Sequence, residues 1–456
     1  MRTLIRNGRA ALADRIQDAD VLVEGGRIAA VGQLGAVTAD RVIDAGGCYV
    51  LPGLIDFHTH VDDQIGRFYL ADTYESGTRV ALQNGITTLC TFVTQNPGHS
   101  LVQDMAVARG KAEGRCHCDV LWHLTPTTFE PDDLRALETL LAAGYRTLKL
   151  YTTYKAAGIF ASYERIDDLF RRLGPEGAHF MVHCEDDEVI ASVNPAGIDL
   201  GQPHSHTVLR PEAAEIVAVK RVADLALARR TALHVVHVST LEGARHLVRS
   251  RAQGDITFET CPQYLVLDDS WLARADGHHW LCSPPLRGAG RAEMRQLVRD
   301  GGADILATDH CAFRPEDKDD WDGTDLRAVP NGLTGIGALP HVSWKIWEDD
   351  PDRAALGLAT QLSLNPARRA GVQDRKGALG PGMDADIVVL DPAGPERPLR
   401  STLVPAYESF PGFHSRLSFR HVLLRGEPRV EHGRLLEPDQ PHGLPLQPGT
   451  ASLPLP

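Results

Sequence analysis

No run of about 18 apolar residues, the length a membrane span needs, occurs anywhere in this 456-residue chain. The opening Met1-Arg-Thr-Leu-Ile-Arg-Asn-Gly8 lacks the apolar core of a secretory leader, so a cytoplasmic location is expected. Positive charge is short too: 47 Lys and Arg face 60 Asp and Glu, a formal net charge of −13. That balance argues against nucleic acid or an anionic membrane as partner and fits a soluble acidic enzyme. Cysteine is sparse. Cys48, Cys90, Cys116, Cys118, Cys184, Cys261, Cys282 and Cys311 are scattered through apolar segments, which fits reduced thiols rather than a disulfide framework. Cys116-His117-Cys118 has no second Cys/His pair at finger spacing, so no structural zinc is expected there.

What remains is ordinary globular composition, 43% hydrophobic and 23% charged, in a chain long enough for two or three structural units. Residues 1–50 read as short alternating strands, Asp20–Glu24, Gly26–Gly32 and Arg41–Ala45, separated by glycine-rich turns. The same texture returns in Asp386–Asp391 and His421–Gly426. Residues 1–50 and 377–436 are therefore expected to form one small β-sandwich built from both ends of the chain, with 437–456 as an irregular, proline-rich tail.

Between them, 51–376 alternates apolar strands with amphipathic helices such as Tyr163–Leu173, Glu212–Ala228 and Arg291–Arg299. The strands are Leu51–Phe57, Thr87–Phe92, Asp119–Leu124, Thr147–Leu150, His179–Val182, Leu233–Val236, Ile256–Thr260 and Asp304–Ala307. This is the pattern of an α/β fold, a TIM-type (β/α)8 barrel. Continuous apolar strands such as Leu233–Val236 suit a parallel sheet covered on both faces.

In such a barrel the chemistry sits at the C-terminal strand ends. Strand one ends in Phe57-His-Thr-His60, and the two-residue period puts both imidazoles on one face. Strand four delivers Lys149, strand five His183, strand six His237 and strand eight Asp309. Singly, each has an ordinary structural reading: a satisfied histidine, a helix-capping aspartate, a snorkelling lysine. Together they predict a metal centre. Six such groups exceed one tetrahedral zinc and point to two divalent ions sharing ligands. Lys149 is the odd member, because an ammonium repels cations. Carbamylation by CO2 would turn it into a bridging anion, whereas a Schiff-base lysine fits a histidine-rich site poorly.

The chain resembles the cyclic amidohydrolases, most closely the dihydropyrimidinase/hydantoinase branch, over nearly its whole length. The motifs are Pro52-Gly-Leu-Ile-Asp-Phe-His-Thr-His60, Leu148-Lys-Leu-Tyr-Thr-Thr-Tyr154, Val182-His-Cys-Glu185, Val236-His-Val-Ser239, Glu259-Thr-Cys-Pro-Gln-Tyr-Leu265, Ser283-Pro-Pro-Leu-Arg287, Ala307-Thr-Asp-His-Cys311, Pro330-Asn-Gly-Leu333 and Asn365-Pro-Ala-Arg368. The resemblance implies that His58, His60 and Asp309 hold one ion, His183 and His237 the other, and carboxylated Lys149 bridges them, with zinc the first expectation. A hydroxide shared between the ions would be the nucleophile and Asp309 the proton shuttle. Tyr154 would donate to the oxyanion, and the backbones of Ser283 and Asn331 would hold the ring's amide edge. The product would be an N-carbamoyl amino acid, the enzyme a homo-oligomer, tetramer or dimer.

Dihydroorotases place an arginine after the second histidine to grip a carboxylate. Here Val61-Asp-Asp-Gln-Ile-Gly-Arg67 puts two aspartates first, so a neutral 5-substituted hydantoin or dihydropyrimidine is expected. Allantoinase, cyclic imide hydrolase and dihydroorotase-like activity are the alternatives, with a metal-free scaffold relative behind them. Two departures from the family pattern stand out: Gly337 replaces an acidic residue, and the Asp62–Tyr69 loop is unusual.

Overall fold

The computed structural model describes residues 1–448. Eight parallel strands form the barrel in chain order: Leu54–His60, Ile86–Thr94, Asp119–Thr125, Thr147–Tyr151, His179–His183, Ala232–Val235, Ile256–Thr260 and the broken strand eight. Strand eight has two short pieces. Ile305–Leu306 pairs with strand seven, whereas His310–Cys311 pairs back to strand one and closes the ring. The sequence-derived Asp304–Ala307 is thus trimmed and continued beyond a break. Its cause is Asp309, whose φ of 51° lies in the left-handed region and cannot continue a strand.

Strand one also differs from the expected Leu51–Phe57. Tyr49–Pro52 belongs to the second sheet, antiparallel to Ile387–Asp391, and the barrel strand starts at Leu54. Gly53 is the crossover. A Cβ there would lie 2.1 Å from Thr87 Oγ1 and 2.9 Å from Asp386 Cβ, so no larger residue fits between the two sheets.

That second sheet takes strands from both ends of the chain, as expected, but opens with an unanticipated strand, Arg2–Ala11. This strand pairs parallel with Arg41–Asp44 over its first half and with Tyr49–Pro52 over its second. Ile5, Val21, Ile43, Val50, Ile387, Val389 and Leu423 bury together as its core.

The main core lies between barrel strands and outer helices. Tyr163–Leu173 begins at Ser162, whose hydroxyl accepts from the Arg165 N–H, and buries Ile166, Leu169, Phe170 and Leu173 at helical spacing. Glu212–Arg229 and Arg291–Arg299 stand within a residue of their expected bounds. Inside the barrel, Ile55, Phe57, Cys90, Leu121, Met181 and Ile305 pack with Leu446 from the tail. Over 437–448 the tail has no helix or strand, and it docks on barrel strand three through Val120 N–H to the Leu444 carbonyl at 3.0 Å and Leu446 N–H to the Val120 carbonyl at 2.8 Å. Residues 449–456 lie outside the described residues. No helix of the described residues is long and apolar enough to cross a membrane. All eight cysteines are free and buried.

Candidate metal centre

Because alternate strand residues share a face, His58 and His60 both point to the C-terminal mouth of the barrel, their rings 5.4 Å apart. The broken eighth strand then brings Asp309 over them. Its Oδ1 lies 3.1 Å from His58 Nε2 and 3.5 Å from His60 Nε2. Phe92 walls this group, stacking on His60 at 4.7 Å. Across the mouth, His183 Nδ1 faces His237 Nε2 at 3.0 Å, and the His237 ring lies 5.5 Å from that of His58. Lys149 completes the cluster, its Nζ 3.5 Å from His58 Nε2. The structure therefore gathers all six side chains that the strand-end pattern singled out.

Two carboxylates set the histidine tautomers. Glu259, closing strand seven, hydrogen-bonds the outer Nδ1 of His58 and lies 3.1 Å from His234 Nε2. Glu185 accepts from the outer Nε2 of His183 at 2.8 Å. With the outer nitrogen protonated, the inner one keeps its lone pair turned into the mouth. A tetrahedral ion with ligands at 2.0–2.1 Å has ligand–ligand edges of about 3.3–3.4 Å. The separations of 3.0, 3.1 and 3.5 Å match that edge within a few tenths of an ångström. These donors fit divalent cations.

The electrostatics agree. Burial draws the Lys149 ammonium down to about 8, and among the described residues it makes no ion pair with a carboxylate. Burial pushes Asp309 upward, but His58 and His60 outweigh it and hold the carboxyl well below its ordinary range. Glu185 is likewise raised by burial yet brought to about 2 by Arg210 and His183. Burial sets His237 well below the usual imidazole value, with His183 adding to it. His237 and Asp309 both carry positive φ, 39° and 51°, so strain concentrates at two of the donor positions.

Beside the cluster, the Tyr154 ring lies 5.2 Å from that of His183, under the Arg210 guanidinium at 4.8 Å. Burial raises its phenol while Arg210 pulls it down. Asn331 Nδ2 donates to Ser283 Oγ at 3.1 Å, so the two expected recognition residues meet. The Asp62–Tyr69 loop is a small hairpin of Gln64–Ile65 and Phe68–Tyr69. Arg67 sits at its exposed tip, over the Phe68 ring at 4.7 Å. Asp62 is held by Lys111 at 3.5 Å. Gly337 is explained by space: a Cβ would meet the Arg400 carbonyl at 2.2 Å.

The amidohydrolase family model matches residues 49–428. The chain belongs to the amidohydrolase family. It is 34% identical to the D-hydantoinase of Streptomyces coelicolor and 32% identical to a D-phenylhydantoinase of Escherichia coli, each match covering 94% of both chains. The crystal structure of dihydropyrimidinase from Brevibacillus agri superposes with a TM-score of 0.92 at 29% identity, covering 100% of both chains.

Three residues of this amidohydrolase that the sequence did not single out contact the cluster or its partners. Glu259 and Glu185 stood inside recognised motifs without a role. A carboxylate closing a barrel strand, as Glu259 does, was the available signal. Arg210, whose Nη2 lies 3.1 Å from Glu185 Oε2, gave none, because it reaches the site from a loop 25 residues away in sequence. Cys116, His117, Cys118 and Cys311 join neither of the two metal-competent groups among the described residues, His58/His60/Asp309 and His278/His279/Asp319.

Proposed function

We propose that this amidohydrolase opens the cyclic amide bond of a 5-substituted hydantoin or a dihydropyrimidine, giving an N-carbamoyl amino acid. The observation that carries this reading is the cluster of six donor side chains at the barrel mouth, with the Tyr154 ring 5.2 Å from that of His183 and Asn331 bonded to Ser283. His58, His60 and Asp309 would hold one divalent cation and His183 and His237 a second, zinc being the best match to imidazole and carboxylate donors. Carboxylated Lys149 would join them. Burying an ammonium without an anionic partner is costly, whereas a carbamate at the same place would be paired by the two cations. When bound, such a cation pair supplies a nucleophile from water near neutral pH and polarises the amide carbonyl.

The chain's own residues handle the rest. Asp309 accepts the proton released as water adds, then delivers it to the ring nitrogen as the C–N bond breaks. Tyr154 donates its phenolic hydrogen to the carbonyl oxygen as negative charge develops there. The backbones at Ser283 and Asn331 hold the ring's amide edge. Arg67 stands exposed at a hairpin tip, which disfavours a dihydroorotase-like grip on a substrate carboxylate.

The test is a panel of dihydrouracil, 5-substituted hydantoins, cyclic imides, allantoin and dihydroorotate, with ring opening followed by ultraviolet absorbance. Opening of hydantoins or dihydrouracil is expected. Turnover of dihydroorotate or allantoin alone would overturn the reading. Less than one equivalent of divalent metal with no ring opening would instead favour a scaffold role.

A further inference from the structure

A second group of donors lies on the barrel rim, outside the centre described above. His278 and His279 are consecutive in the short 3-10 helix Gly277–Trp280, and Asp319 ends the helix Pro315–Asp319. His278 Nε2 and His279 Nε2 both aim at one atom, Asp319 Oδ1, at 3.1 and 2.9 Å. We infer that His278, His279 and Asp319 form a separate peripheral site for a zinc-like divalent cation.

Three features support this over an ordinary ion pair. Two imidazoles with ring centres 4.1 Å apart converge on the same carboxylate oxygen, so two ring nitrogens and one anionic oxygen share one small space. A divalent ion can take both lone pairs and that oxygen at once. The separations again lie within a few tenths of an ångström of the roughly 3.3–3.4 Å edge of a tetrahedral site. The donors are also held in place from outside. Tyr407 donates its hydroxyl to Asp319 Oδ2 and stacks on His279 at 3.4 Å with ring planes 19° apart. Buried Lys318 donates to the His279 carbonyl at 2.8 Å, fastening the two rim segments together. Outer partners of this kind orient metal ligands. The two histidine side chains are 15% and 13% exposed and that of Asp319 is 51% exposed, so the site is anchored on one side and open to solvent on the other. Water completes the coordination and the ion has a path in.

An ion there would clip the segment leading to Ser283 to the segment leading to Asn331. Two histidines and one carboxylate suit zinc or cobalt rather than calcium or magnesium. The cation is given no catalytic part, since none of its ligands belongs to the cluster at His58.

The experiment is equilibrium dialysis of the full-length protein against Zn2+ at fixed micromolar free concentration, with metal counted per chain. Wild type is expected to hold one equivalent more than His279→Ala and than Asp319→Asn, the latter a near-isosteric change that spares the fold. Co2+ loading gives a second readout: the wild-type-minus-Asp319→Asn difference spectrum should show the visible bands of a four-coordinate site. Equal zinc in all three proteins, or a featureless cobalt difference spectrum, overturns the inference. The difference counts only this site, so it stands or fails independently of metal at the barrel centre.

Discussion

Lys149 is where the chemistry of the centre is most exposed to test. It is the one cationic side chain among the six, fully buried and without a carboxylate ion-pair partner among the described residues. If its role is to carry a bridging anion, Lys149→Ala should lower kcat by at least about 10²-fold and release bound metal, and a short carboxylic acid such as acetate should restore part of both. Undiminished turnover in the mutant would remove the lysine from the centre. Tyr154 makes a different demand. Loss of its hydroxyl in Tyr154→Phe should cost about 10²–10³ in kcat with KM nearly unchanged, because an oxyanion donor acts on the transition state. A change confined to KM would make it a binding residue. That His58 and His60 point together was readable in the sequence because strand alternation is a local rule: they share a face whatever surrounds them. Glu259 was not assigned, since a carboxylate two strands away becomes a tautomer lock only once the barrel closes, and Glu185, two residues past His183, turns back onto it only through the loop that leaves strand five. Arg210 was invisible for the same reason. It meets Tyr154 through the path of a loop, which no local period encodes.

At the scale of elements, the eight strands were legible from apolar runs, but their two most consequential breaks were not. The run Tyr49–His60 is apolar almost throughout, yet Gly53 divides it between two sheets. The reason lies in distances of 2.1 Å to Thr87 Oγ1 and 2.9 Å to Asp386 Cβ for a Cβ that is not there. Gly53→Ala should therefore cost about 1–3 kcal/mol through overpacking, read as a lower urea midpoint. Thr87→Ala in the same chain should recover part of the loss, as expected of contacting sites. Strictly additive effects of the two changes would show that the crossover relaxes elsewhere. The second break, at Asp309, works in the opposite sense. The strain of a non-glycine φ of 51° is accepted there, and its return is a carboxylate lifted out of the strand toward His58 and His60.

For the molecule as a whole, barrel, terminal sheet and tail meet at one buried charge cluster that composition alone never suggested. Lys376 Nζ lies 2.8 Å from Asp119 Oδ2 and also bonds Asp386, while Arg425 Nη1 lies 2.6 Å from Asp119 Oδ1. Asp119 opens barrel strand three, Asp386 precedes the sheet strand Ile387–Asp391, and the tail joins through Leu444 N–H to Asp119 at 2.8 Å. Two anions and two cations balance, so the cluster stands as long as all four remain. Lys376→Met leaves two buried carboxylates facing one guanidinium and should cost about 3–5 kcal/mol. The pH dependence separates this from a simple packing loss. In the wild type, burial pushes Asp119 up but Lys376 and Arg425 outweigh it, so its folded pKa lies below the unfolded one. Its stabilisation is therefore complete above the unfolded carboxyl range and lost only as pH falls through the folded value. In Lys376→Met the balance reverses: burial prevails, the folded carboxyls bind protons more tightly than the unfolded ones, and acid favours folding. The stability gap between wild type and variant should therefore be widest near pH 8 and shrink toward pH 5, measured by urea unfolding across that range. A gap constant with pH would mean that lost packing around the lysine stem, rather than stranded charge, accounts for the destabilisation.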